Sequence, residues 1–418
     1  MEYLIIGNSA AGINCADRIR SLDKTGKITI LSEEPFEAYG RPLISYYLAG
    51  KYDINLMKYK PEEFYKNKKI NVVLNCQAQE IDVKNKEVKC SNKKAYKYDK
   101  LLIATGSVPF VPPVNGIEKH KNVFTFLKLE DAKKIEKVIN KKSKVIIVGA
   151  GLIGLKAAEA LAGKVGQISV IDLADRLMAS VLDKQTSAIM QKHIEEQKID
   201  FKLSTTVSEV KPDSVILSDG TELNCDVLIM AVGVKPNILL AKNAKIKINR
   251  GIITDKYMMT SVKNIYAAGD CVESLDVLSQ QNKILALWPN AFMQGETAGS
   301  NMAGVKCAFN GSFAMNAIGF FGIQLISAGI VDPKEQGYQE FVEYDETKIT
   351  FKKLIIKDDK LVGFAMLNLP YRAGIYTSLI NDKISLRDLN YDITKRDIGL
   401  NVFSQDIRYN KMFRGKNE

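Results

Sequence analysis

The sequence predicts an α/β protein with two βαβ units of parallel sheet, followed by a separate C-terminal α/β region. One pattern occurs twice, near residue 5 and near residue 145: an apolar strand, a glycine-rich turn, a helix rich in small residues and a second apolar strand that ends in an acid. The chain of 418 residues is long enough for about two or three domains. Its apolar content of 46% is ordinary for a globular protein with a substantial core.

The clearer copy of the pattern spans residues 144–172. After the strand at 145–148 come Gly149, Gly151 and Gly154, at the spacing G-x-G-x-x-G, then a helix at 155–161 and a strand at 168–171. The first glycine permits a tight turn, the second lets the backbone approach a pyrophosphate, and the third lets the helix pack on the strand. The N-terminus of the helix offers free N–H groups and the positive dipole end to phosphate. Asp172, directly after the second strand, is placed to accept hydrogen bonds from a ribose. The stretch predicts a dinucleotide site.

The N-terminal copy follows the same order with one exchange. A strand at 3–6 is followed by GNSAAG, a helix at 13–21, a strand at 28–31 and then Glu33 and Glu34. The turn carries Gly7, Ser9 and Gly12, with serine at the middle glycine position. Serine is small, so close approach of the backbone to a phosphate remains possible. The repeat predicts two dinucleotide sites in one chain.

Other segments are placed to complete such sites. Arg41, before Pro42, lies in the loop that follows the first unit, where a guanidinium can meet a pyrophosphate with two parallel hydrogen bonds. Strands that end in ATG at 104–106 and AVG at 231–233 are each followed by proline, a parallel that supports the repeat. The proline-rich residues 109–113 are expected to be a linker. Asp270 follows a strand and a glycine, where a short carboxylate can accept hydrogen bonds from a polyol.

Charge and hydropathy narrow the function classes. The net charge of +11 fits either a solvated lysine-rich surface or a basic face that steers an acidic partner. No nucleic-acid-binding module with interleaved aromatic residues occurs, so nucleic acid is not expected as a partner. No apolar run is long enough for a membrane span. The first strand begins near residue 2, which leaves no room for a signal peptide, and a cytoplasmic protein is expected.

The cysteines and histidines indicate no metal site. The six cysteines form no C-x-x-C or other close pair, and the chain has only two histidines. We therefore expect buried, reduced thiols.

The motifs together resemble a known superfamily. GNSAAG with Glu33, ATG, GAGLIG with Asp172, AVGVKPN and AAGD occur in the order found in FAD-dependent pyridine nucleotide-disulfide oxidoreductases, over nearly the whole chain. Within that superfamily, YGRPLIS and LWPNAFMQG are similar to the R-P-x-L-S and W-x-N-A-x-x-Q segments of ferredoxin- and rubredoxin-reductase-like enzymes. The N-terminal half of the large subunit of NADH-dependent nitrite reductases looks similar too.

The resemblance implies an architecture. It consists of two nested Rossmann-like domains of the glutathione-reductase type and a C-terminal α/β domain. Residues 1–110 and 245–311 would form a discontinuous FAD-binding domain, and residues 111–244 the NAD-binding domain. Residues 312–418 would form a C-terminal interface domain with a basic tail, which covers the flavin or supports dimerisation in relatives. A homodimer is one of the oligomeric states left open.

The resemblance also implies which residues hold FAD. Glu33 or Glu34 would meet its ribose, Arg41 beside Pro42 its pyrophosphate, and Asp270 after Gly269 its ribitol. The segment from Trp288 would lie near the isoalloxazine ring. The remaining positions implied for FAD are Gly7, Ser9, Ala10, Ala11, Gly12, Ala78, Ala104, Thr105, Gly106, Pro289, Asn290 and Ala291.

The resemblance implies that NAD binds at the second glycine-rich turn and that Gly233 closes the nicotinamide site. An acid at Asp172 repels a 2′-phosphate, so NADH is favoured over NADPH, and Arg176 would soften that preference. The positions implied for the nucleotide are Gly149, Gly151, Leu152, Ile153, Gly154, Asp172, Arg176 and Gly233.

Two departures from the family pattern bear on chemistry. Disulfide reductases and thiol-dependent NADH oxidases or peroxidases keep a reactive cysteine near position 40. Here the stretch reads Tyr39-Gly40-Arg41-Pro42, without cysteine, so thiol chemistry beside the flavin lacks its nucleophile. Relatives also carry a glutamate and a lysine beside the flavin at the positions of Lys156 and Tyr46. One hypothesis is that Lys156 stabilises the reduced flavin or pairs with Glu37. Glu159, one turn on, would then replace part of the missing acid. The alternative is that Lys156 points away from the flavin.

The expected activity follows from the resemblance. NADH would reduce FAD, and electrons would leave to an acidic one-electron carrier such as ferredoxin or rubredoxin, with Lys156, Glu159 and Trp288 as candidate catalytic residues. The direction of electron flow stays open. The alternatives are an NADH oxidase or a coenzyme A disulfide reductase, which the missing cysteine disfavours, and an NADH-sensing flavoprotein that docks a partner.

Overall fold

The structure, a computed structural model, describes residues 1–389, 391–395 and 398–413. Within those ranges the helices are α1 Ala10–Leu22, α2 Ile44–Leu48, α3 Phe64–Asn67, α4 Leu129–Val138, α5 Leu152–Leu161, α6 Lys184–Glu195, α7 Leu239–Asn243, α8 Trp288–Met302, α9 Ala373–Asn381 and α10 Gln405–Phe413. Short 3-10 helices cover Arg41–Leu43, Ile117–Lys119, Leu386–Asp388 and Leu400–Val402. The end of the predicted basic tail, residues 414–418, lies outside the described residues.

The strands of the described ranges follow in chain order. They are β1 Glu2–Ile6, β2 Lys27–Leu31, β3 Ile70–Val73, β4 Ala78–Asp82, β5 Glu87–Cys90, β6 Ala95–Lys97, β7 Lys100–Ile103, β8 Ser107–Pro109, β9 Val123–Thr125, β10 Lys144–Val148, β11 Gln167–Ile171, β12 Ile199–Lys202, β13 Val207–Val210, β14 Ser214–Leu217, β15 Glu222–Asn224, β16 Val227–Met230, β17 Val234–Pro236, β18 Ile252–Ile253, β19 Ile265–Ala267, β20 Val272–Asp276, β21 Gln281–Lys283, β22 Met315–Phe320, β23 Ile323–Gly329, β24 Gln339–Asp345, β25 Thr350–Lys357 and β26 Lys360–Leu367.

The chain forms two compact units, each assembled from several segments. The first unit contains Met1–Pro113, Asn122–Ile139 and Ile229–Ser312. The second contains Val114–Lys121, Asn140–Leu228 and Phe313–Glu418. The second glycine-rich turn and the C-terminal region therefore belong to one unit. The division into three domains that the sequence suggests stays a prediction.

A parallel sheet forms the centre of the first unit. Its strands lie in the order β19-β7-β1-β2-β3, and all neighbours are parallel. The central strands are buried apolar runs such as Leu4–Ile6, as expected for a sheet covered on both faces. Helix α1, which connects β1 to β2, packs against α8. Gly295 of α8 allows this approach, because a Cβ there would lie 2.3 Å from the carbonyl oxygen of Ala11.

Two short strands correspond to the paired sequence motifs. Strand β8 follows the glycine of ATG, β17 follows the glycine of AVG, and the two pair antiparallel, with Val234 opposite Pro109. The similarity of the two segments thus has a structural counterpart. The predicted linker at 109–113 begins within β8, since Pro109 takes part in that pairing.

The second unit combines a parallel sheet with an antiparallel one. Strands β10, β11 and β12 are parallel neighbours, and α5 connects β10 to β11. Towards the C-terminus the strands lie in the order β22-β23-β26-β25-β24, all antiparallel, with α9 packed on β26. The predicted α/β fold is confirmed.

Both helices of the repeated pattern start earlier than the sequence suggests. The helices predicted at 13–21 and 155–161 begin at Ala10 and Leu152. The reason is that the third glycine of each turn lies inside the first helical turn, where it packs on the strand, and the N-cap is the middle residue, Ser9 or Gly151. Among the described residues, the structure has no helix with the length and apolar character needed to cross a membrane.

Candidate cofactor-binding sites

The first glycine-rich turn joins β1 to α1 with very little space. Gly7 has φ +115°, and a Cβ there would lie 2.1 Å from the carbonyl oxygen of Ala104. A Cβ on Gly12 would lie 1.9 Å from the carbonyl oxygen of Gly7. Ser9, Ala10 and the residues after them place the first N–H groups of α1 at this turn, where no helical carbonyl can satisfy them. The turn has the form of a phosphate-binding turn.

A buried donor beside the turn also fits a ligand. The Oδ1 atom of Asn8 accepts a hydrogen bond of 2.9 Å from the hydroxyl of Tyr65. Its Nδ2 atom is buried and has no hydrogen-bond partner among the described residues. A buried donor without a partner costs free energy unless a ligand satisfies it. The sequence pattern did not single out Asn8, whose one signal was its place between Gly7 and Ser9.

Arg41 reaches the same turn from the following loop. It begins the 3-10 helix that contains Pro42, its Nη2 pairs with the carboxylate of Glu34, and its Nε lies 3.4 Å from Oγ of Ser9. Burial opposes the charge, but Tyr39 and Glu34 outweigh it and raise the pKa of Arg41. The guanidinium is thus a fixed positive charge next to the helix N-terminus.

The two acids after β2 have different surroundings. Glu34 is 13% exposed in its side chain and accepts a hydrogen bond of 2.7 Å from the hydroxyl of Tyr39. Glu33 is 53% exposed and pairs at 3.1 Å with Lys128. Glu33 is therefore the more accessible carboxylate for a ribose. Ala78, one of the positions that the resemblance implies for FAD, begins β4.

The ends of β7 and β19 bring further predicted residues into the first unit. After Ala104, Thr105 donates a 2.6 Å hydrogen bond to the carbonyl oxygen of Asn237. Gly106, with φ +65°, leads into β8, whose Ser107 donates to Asp270 at 3.1 Å. Burial raises the pKa of Asp270 despite this hydrogen bond and the charge of Arg41. A half-buried carboxylate that is short of donors fits a polyol ligand.

The tryptophan segment begins α8. Trp288 and Pro289 are its first residues, and the indole ring stands edge-on to Tyr59 with 5.0 Å between ring centroids. Asn290 and Ala291 are buried. Asn290 receives a hydrogen bond from the hydroxyl of Ser312 and donates to the carbonyl oxygen of Leu285 at 3.2 Å.

Gln294, one turn further along α8, was not among the predicted site residues. Its side chain is 2% exposed. Its Oε1 accepts a hydrogen bond of 2.8 Å from the backbone N–H of Gly269, and its Nε2 donates to Ser274 at 3.1 Å. Gln294 therefore fixes the strand end that carries Asp270. Its signal was the last position of the W-x-N-A-x-x-Q segment.

The second glycine-rich turn repeats the geometry of the first in the second unit. Gly149 has φ +114°, and a Cβ on Gly154 would lie 1.9 Å from the carbonyl oxygen of Gly149. Gly151 is different, because its φ of −82° suits any residue and a Cβ there would meet no heavy atom of the described residues within 4 Å. The protein alone gives no reason for glycine at this position. Open space before Leu152 and Ile153, the first residues of α5, fits a pyrophosphate.

The carboxylate of Asp172 holds the second turn against the end of β11. It accepts hydrogen bonds from the backbone N–H of Ala150 at 2.6 Å and of Ala174 at 2.8 Å. Each carboxylate oxygen keeps further acceptor capacity for a ribose. Gly233, with φ +120°, lies in the first unit and accepts a hydrogen bond of 2.9 Å from Phe110.

Lys156 forms a clamp with Glu159 inside the second unit. The two side chains make an ion pair, and they are 12% and 20% exposed. Lys156 also donates to the carbonyl oxygen of Gly319 at 3.1 Å, and Glu159 accepts from the N–H of Phe321 at 2.8 Å. The clamp fastens α5 to the turn between β22 and β23. The hypothesis that Lys156 stabilises the reduced flavin stays a prediction.

Most of the cysteines are buried, and the thiols of Cys76 and Cys90 lie within hydrogen-bonding reach of each other. All six lie in the described residues and are buried, except Cys307, which is half-buried. Burial raises the pKa of Cys225 to about 12 and that of Cys271 to about 11, so both thiols are protonated at neutral pH. The described residues contain no group of three or more potential ligands that could hold a metal ion.

Comparisons with known proteins extend these observations. The family model "Pyridine nucleotide-disulphide oxidoreductase" matches residues 1–295, and the model "Rubredoxin NAD+ reductase C-terminal domain" matches residues 315–384. The "Assimilatory nitrate reductase electron transfer subunit" of Bacillus subtilis is 34% identical over 368 residues, which are 87% of this chain and 47% of that protein. This chain thus spans about half the length of that relative.

Two further similarities cover most of both partners. The "Rubredoxin-NAD(+) reductase" of Pseudomonas putida is 28% identical over 385 residues, 90% of this chain and 97% of that protein. The solved structure of an NAD-dependent persulfide reductase from A. fulgidus superposes with a TM-score of 0.86 at 27% identity, over 100% of this chain and 84% of that one. The chain therefore belongs to the pyridine nucleotide-disulphide oxidoreductase family, whose members are flavoproteins that use FAD and a nicotinamide nucleotide.

Proposed function

We propose that this chain is an NADH-dependent flavoprotein oxidoreductase that exchanges electrons with a one-electron carrier protein of the ferredoxin or rubredoxin type. The observation that carries the proposal is the lack of a cysteine in the loop where thiol-dependent relatives carry their reactive one. Residues 39–42, near which thiol-dependent relatives have a reactive cysteine, contain none, and the chain's own cysteines are buried or half-buried. Electrons that arrive from NADH must then leave without a cysteine relay.

The arrangement of residues in the first unit supports binding of FAD there. The turn at Gly7, the N-terminus of α1 and the guanidinium of Arg41 converge, which suits the two charges of a pyrophosphate. The buried Nδ2 of Asn8 is free to donate, and Asp270 is free to accept. These groups bind and orient the cofactor, while chemistry at the ring belongs to the cofactor.

The residues of the second unit support binding of NADH. The open side of Gly151 leaves room for a pyrophosphate, and the acid at Asp172 favours a free ribose 2′-hydroxyl over a 2′-phosphate.

FAD, when bound, accepts the electron pair of NADH and releases electrons one at a time. The overall balance is one NADH and two oxidised carriers giving NAD⁺, one proton and two reduced carriers. Such carriers are acidic, and the chain has a net charge of +11, so electrostatic steering would bring the two together. The match of residues 315–384 to the C-terminal domain of rubredoxin NAD⁺ reductase supports the same class of partner.

A second candidate is reduction of persulfide, disulfide or oxygen. The similarity to a persulfide reductase structure favours it. The absence of cysteine from residues 39–42 speaks against it, and so do the raised pKa values of Cys225 and Cys271, because the nucleophile in such chemistry is a thiolate. A third candidate is an NADH-sensing flavoprotein, which the rate of flavin reduction by NADH distinguishes from the two enzymes.

The test is anaerobic rapid mixing of the FAD-loaded protein with NADH, followed by a panel of acceptors. We expect fast bleaching of the flavin, then rapid reduction of ferredoxin or rubredoxin and slow reduction of coenzyme A disulfide and oxygen. Fast disulfide or oxygen reduction with no carrier reduction would contradict the proposal. Slow bleaching with a long-lived charge-transfer absorbance would instead identify a sensor.

A further inference from the structure

The segment after β11 contains an arginine, Arg176, whose charge is neutralised by neighbouring carboxylates. In a turn of this kind, an acid at the end of the second strand meets the ribose 2′-hydroxyl of NAD, whereas a nearby arginine can accommodate the 2′-phosphate of NADP. Asp172 provides the acid, and Arg176 provides the arginine. The two residues make opposite contributions, so the state of Arg176 matters for coenzyme choice.

Arg176 is held by carboxylates on two sides. Its Nη1 pairs with Asp175 at 2.8 Å, and its Nη2 pairs with Asp332 at 3.0 Å. Its Nη2 also lies 3.5 Å from the carbonyl oxygen of Ala179. The side chain is 16% exposed, and its Nε is buried without a partner in the part of the chain that the structure describes. The guanidinium is thus both fixed and shielded.

Asp332 is the less obvious member of this group. It lies between β23 and β24, 156 residues from Arg176 in the sequence, and its side chain is 27% exposed. Lys334 pairs with Asp332 at 2.6 Å, and Lys184 pairs with Asp175 at 3.4 Å, but both lysines are largely exposed to solvent. Solvent and salt screen those outer charges far more than the half-buried pair.

We propose that Asp332 determines coenzyme specificity by holding Arg176 in an ion pair that keeps the guanidinium from a 2′-phosphate. This inference rests on the proposed NADH-dependent function. Asp172, Asp175 and Asp332 balance Arg176 and the two exposed lysines Lys184 and Lys334, so the group offers no uncompensated positive charge to the doubly charged phosphate of NADP. The C-terminal region therefore contributes to selectivity for NAD, besides the acid of the nucleotide-binding turn itself.

The experiment measures equilibrium dissociation constants for NAD⁺ and NADP⁺ by calorimetry on the FAD-loaded protein. In Asp332→Asn we expect the dissociation constant for NADP⁺ to fall about tenfold, the worth of one charge-assisted hydrogen bond, and that for NAD⁺ to change less than about twofold. Asp172 remains in place, so the preference should narrow without inverting. Raising the ionic strength should reduce the gain.

Three variants make the result specific. Glu335→Gln is the matched control, because it removes one carboxylate from the same loop at a side chain that is 81% exposed and pairs only distantly, at 3.9 Å, with Lys357. Arg176→Gln placed in the Asp332→Asn background should cancel the gain, since the freed guanidinium causes it. Asp175→Asn is an independent second variant and should shift NADP⁺ binding in the same direction.

The outcomes separate this inference from the function on which it rests. An unchanged NADP⁺ affinity in both Asp332→Asn and Asp175→Asn, with normal NAD⁺ binding, would overturn the inference alone. A gain that survives Arg176→Gln, or that Glu335→Gln reproduces, would also overturn it. If the FAD-loaded wild-type protein binds no NAD⁺, the proposed function fails and this inference fails with it.

Discussion

Replacing Gly151 with alanine should leave the fold intact and weaken nucleotide binding. The backbone there has φ −82°, and an added Cβ meets no heavy atom of the described residues within 4 Å. Alanine is a poorer N-cap than glycine, but it also lowers the entropy of the unfolded chain. These effects oppose each other, so we expect the free energy of unfolding to change by less than about 1 kcal/mol.

The effect on binding should be much larger. The new methyl group would occupy the space in which the pyrophosphate approaches the backbone. Loss of one charge-assisted hydrogen bond costs about 1.5–3 kcal/mol, which corresponds to a rise of about ten- to a hundredfold in the dissociation constant for NAD⁺. Calorimetric titration with NAD⁺ and thermal unfolding, measured on the same sample, give the two quantities.

Gly154→Ala is the contrasting variant. Its Cβ would lie 1.9 Å from the carbonyl oxygen of Gly149, a backbone atom that cannot easily move. Overpacking of this kind costs about 1–3 kcal/mol of stability. The reasoning about Gly151 is refuted if Gly151→Ala is folded and binds NAD⁺ within about twofold of the wild-type protein.

Four further predictions concern charged side chains. Arg41→Gln should raise the dissociation constant for FAD about tenfold, because a cation beside the first glycine-rich turn is lost. Ultrafiltration with flavin absorbance measures this constant. Unchanged retention of FAD would contradict the placement of Arg41 at the cofactor. Lys353→Met should lower the free energy of unfolding by about 3–5 kcal/mol, because the carboxylate of Asp183, which is 8% exposed, loses the ammonium group that lies 2.6 Å away. Denaturant unfolding measures the change, and a loss below about 1 kcal/mol would contradict the prediction. Burial opposes ionisation of Asp183, but Lys353 and the N–H of Thr186 outweigh burial and lower the pKa of this carboxyl. The stability that ionised Asp183 contributes should therefore be full above its unfolded pKa and be lost as pH falls through its folded pKa. Asp183→Asn should not show this loss of stability. Lys156→Gln should cost about 1–2 kcal/mol in unfolding free energy, and the flavin potential measured on the same variant tests whether this lysine also stabilises the reduced cofactor.

Local sequence patterns predicted most of the nucleotide-binding architecture. Gly12 and Gly154 are required by the carbonyl oxygens of Gly7 and Gly149 in the same turns, so a short pattern carries the information, whereas the neighbour that crowds Gly7 is the distant Ala104. The strands of both repeated units are short buried apolar runs, which the sequence shows directly. Even the pairing of β8 with β17 had a signal, in the similarity of ATGSVP to AVGVKP.

Long-range contacts were not predictable in the same way. The pairing of Arg176 with Asp332 and the clamp from Lys156 to Gly319 join residues more than 150 positions apart, and no spacing rule relates them. The helices α1 and α5 begin three residues before the starts that the sequence predicts, because Gly12 and Gly154 lie within the first helical turn. Glycine has low helix propensity, but here packing against a strand outweighs propensity.

The central claim, that electrons pass through the flavin without a cysteine relay, is tested most directly by an anaerobic titration of the FAD-loaded protein with NADH. Each redox-active disulfide or sulfenate would take up an electron pair in addition to the pair taken by the flavin. We predict complete reduction at about one equivalent of NADH per flavin, with no further uptake. An end point at about two equivalents would show that a thiol centre takes part and would contradict the account.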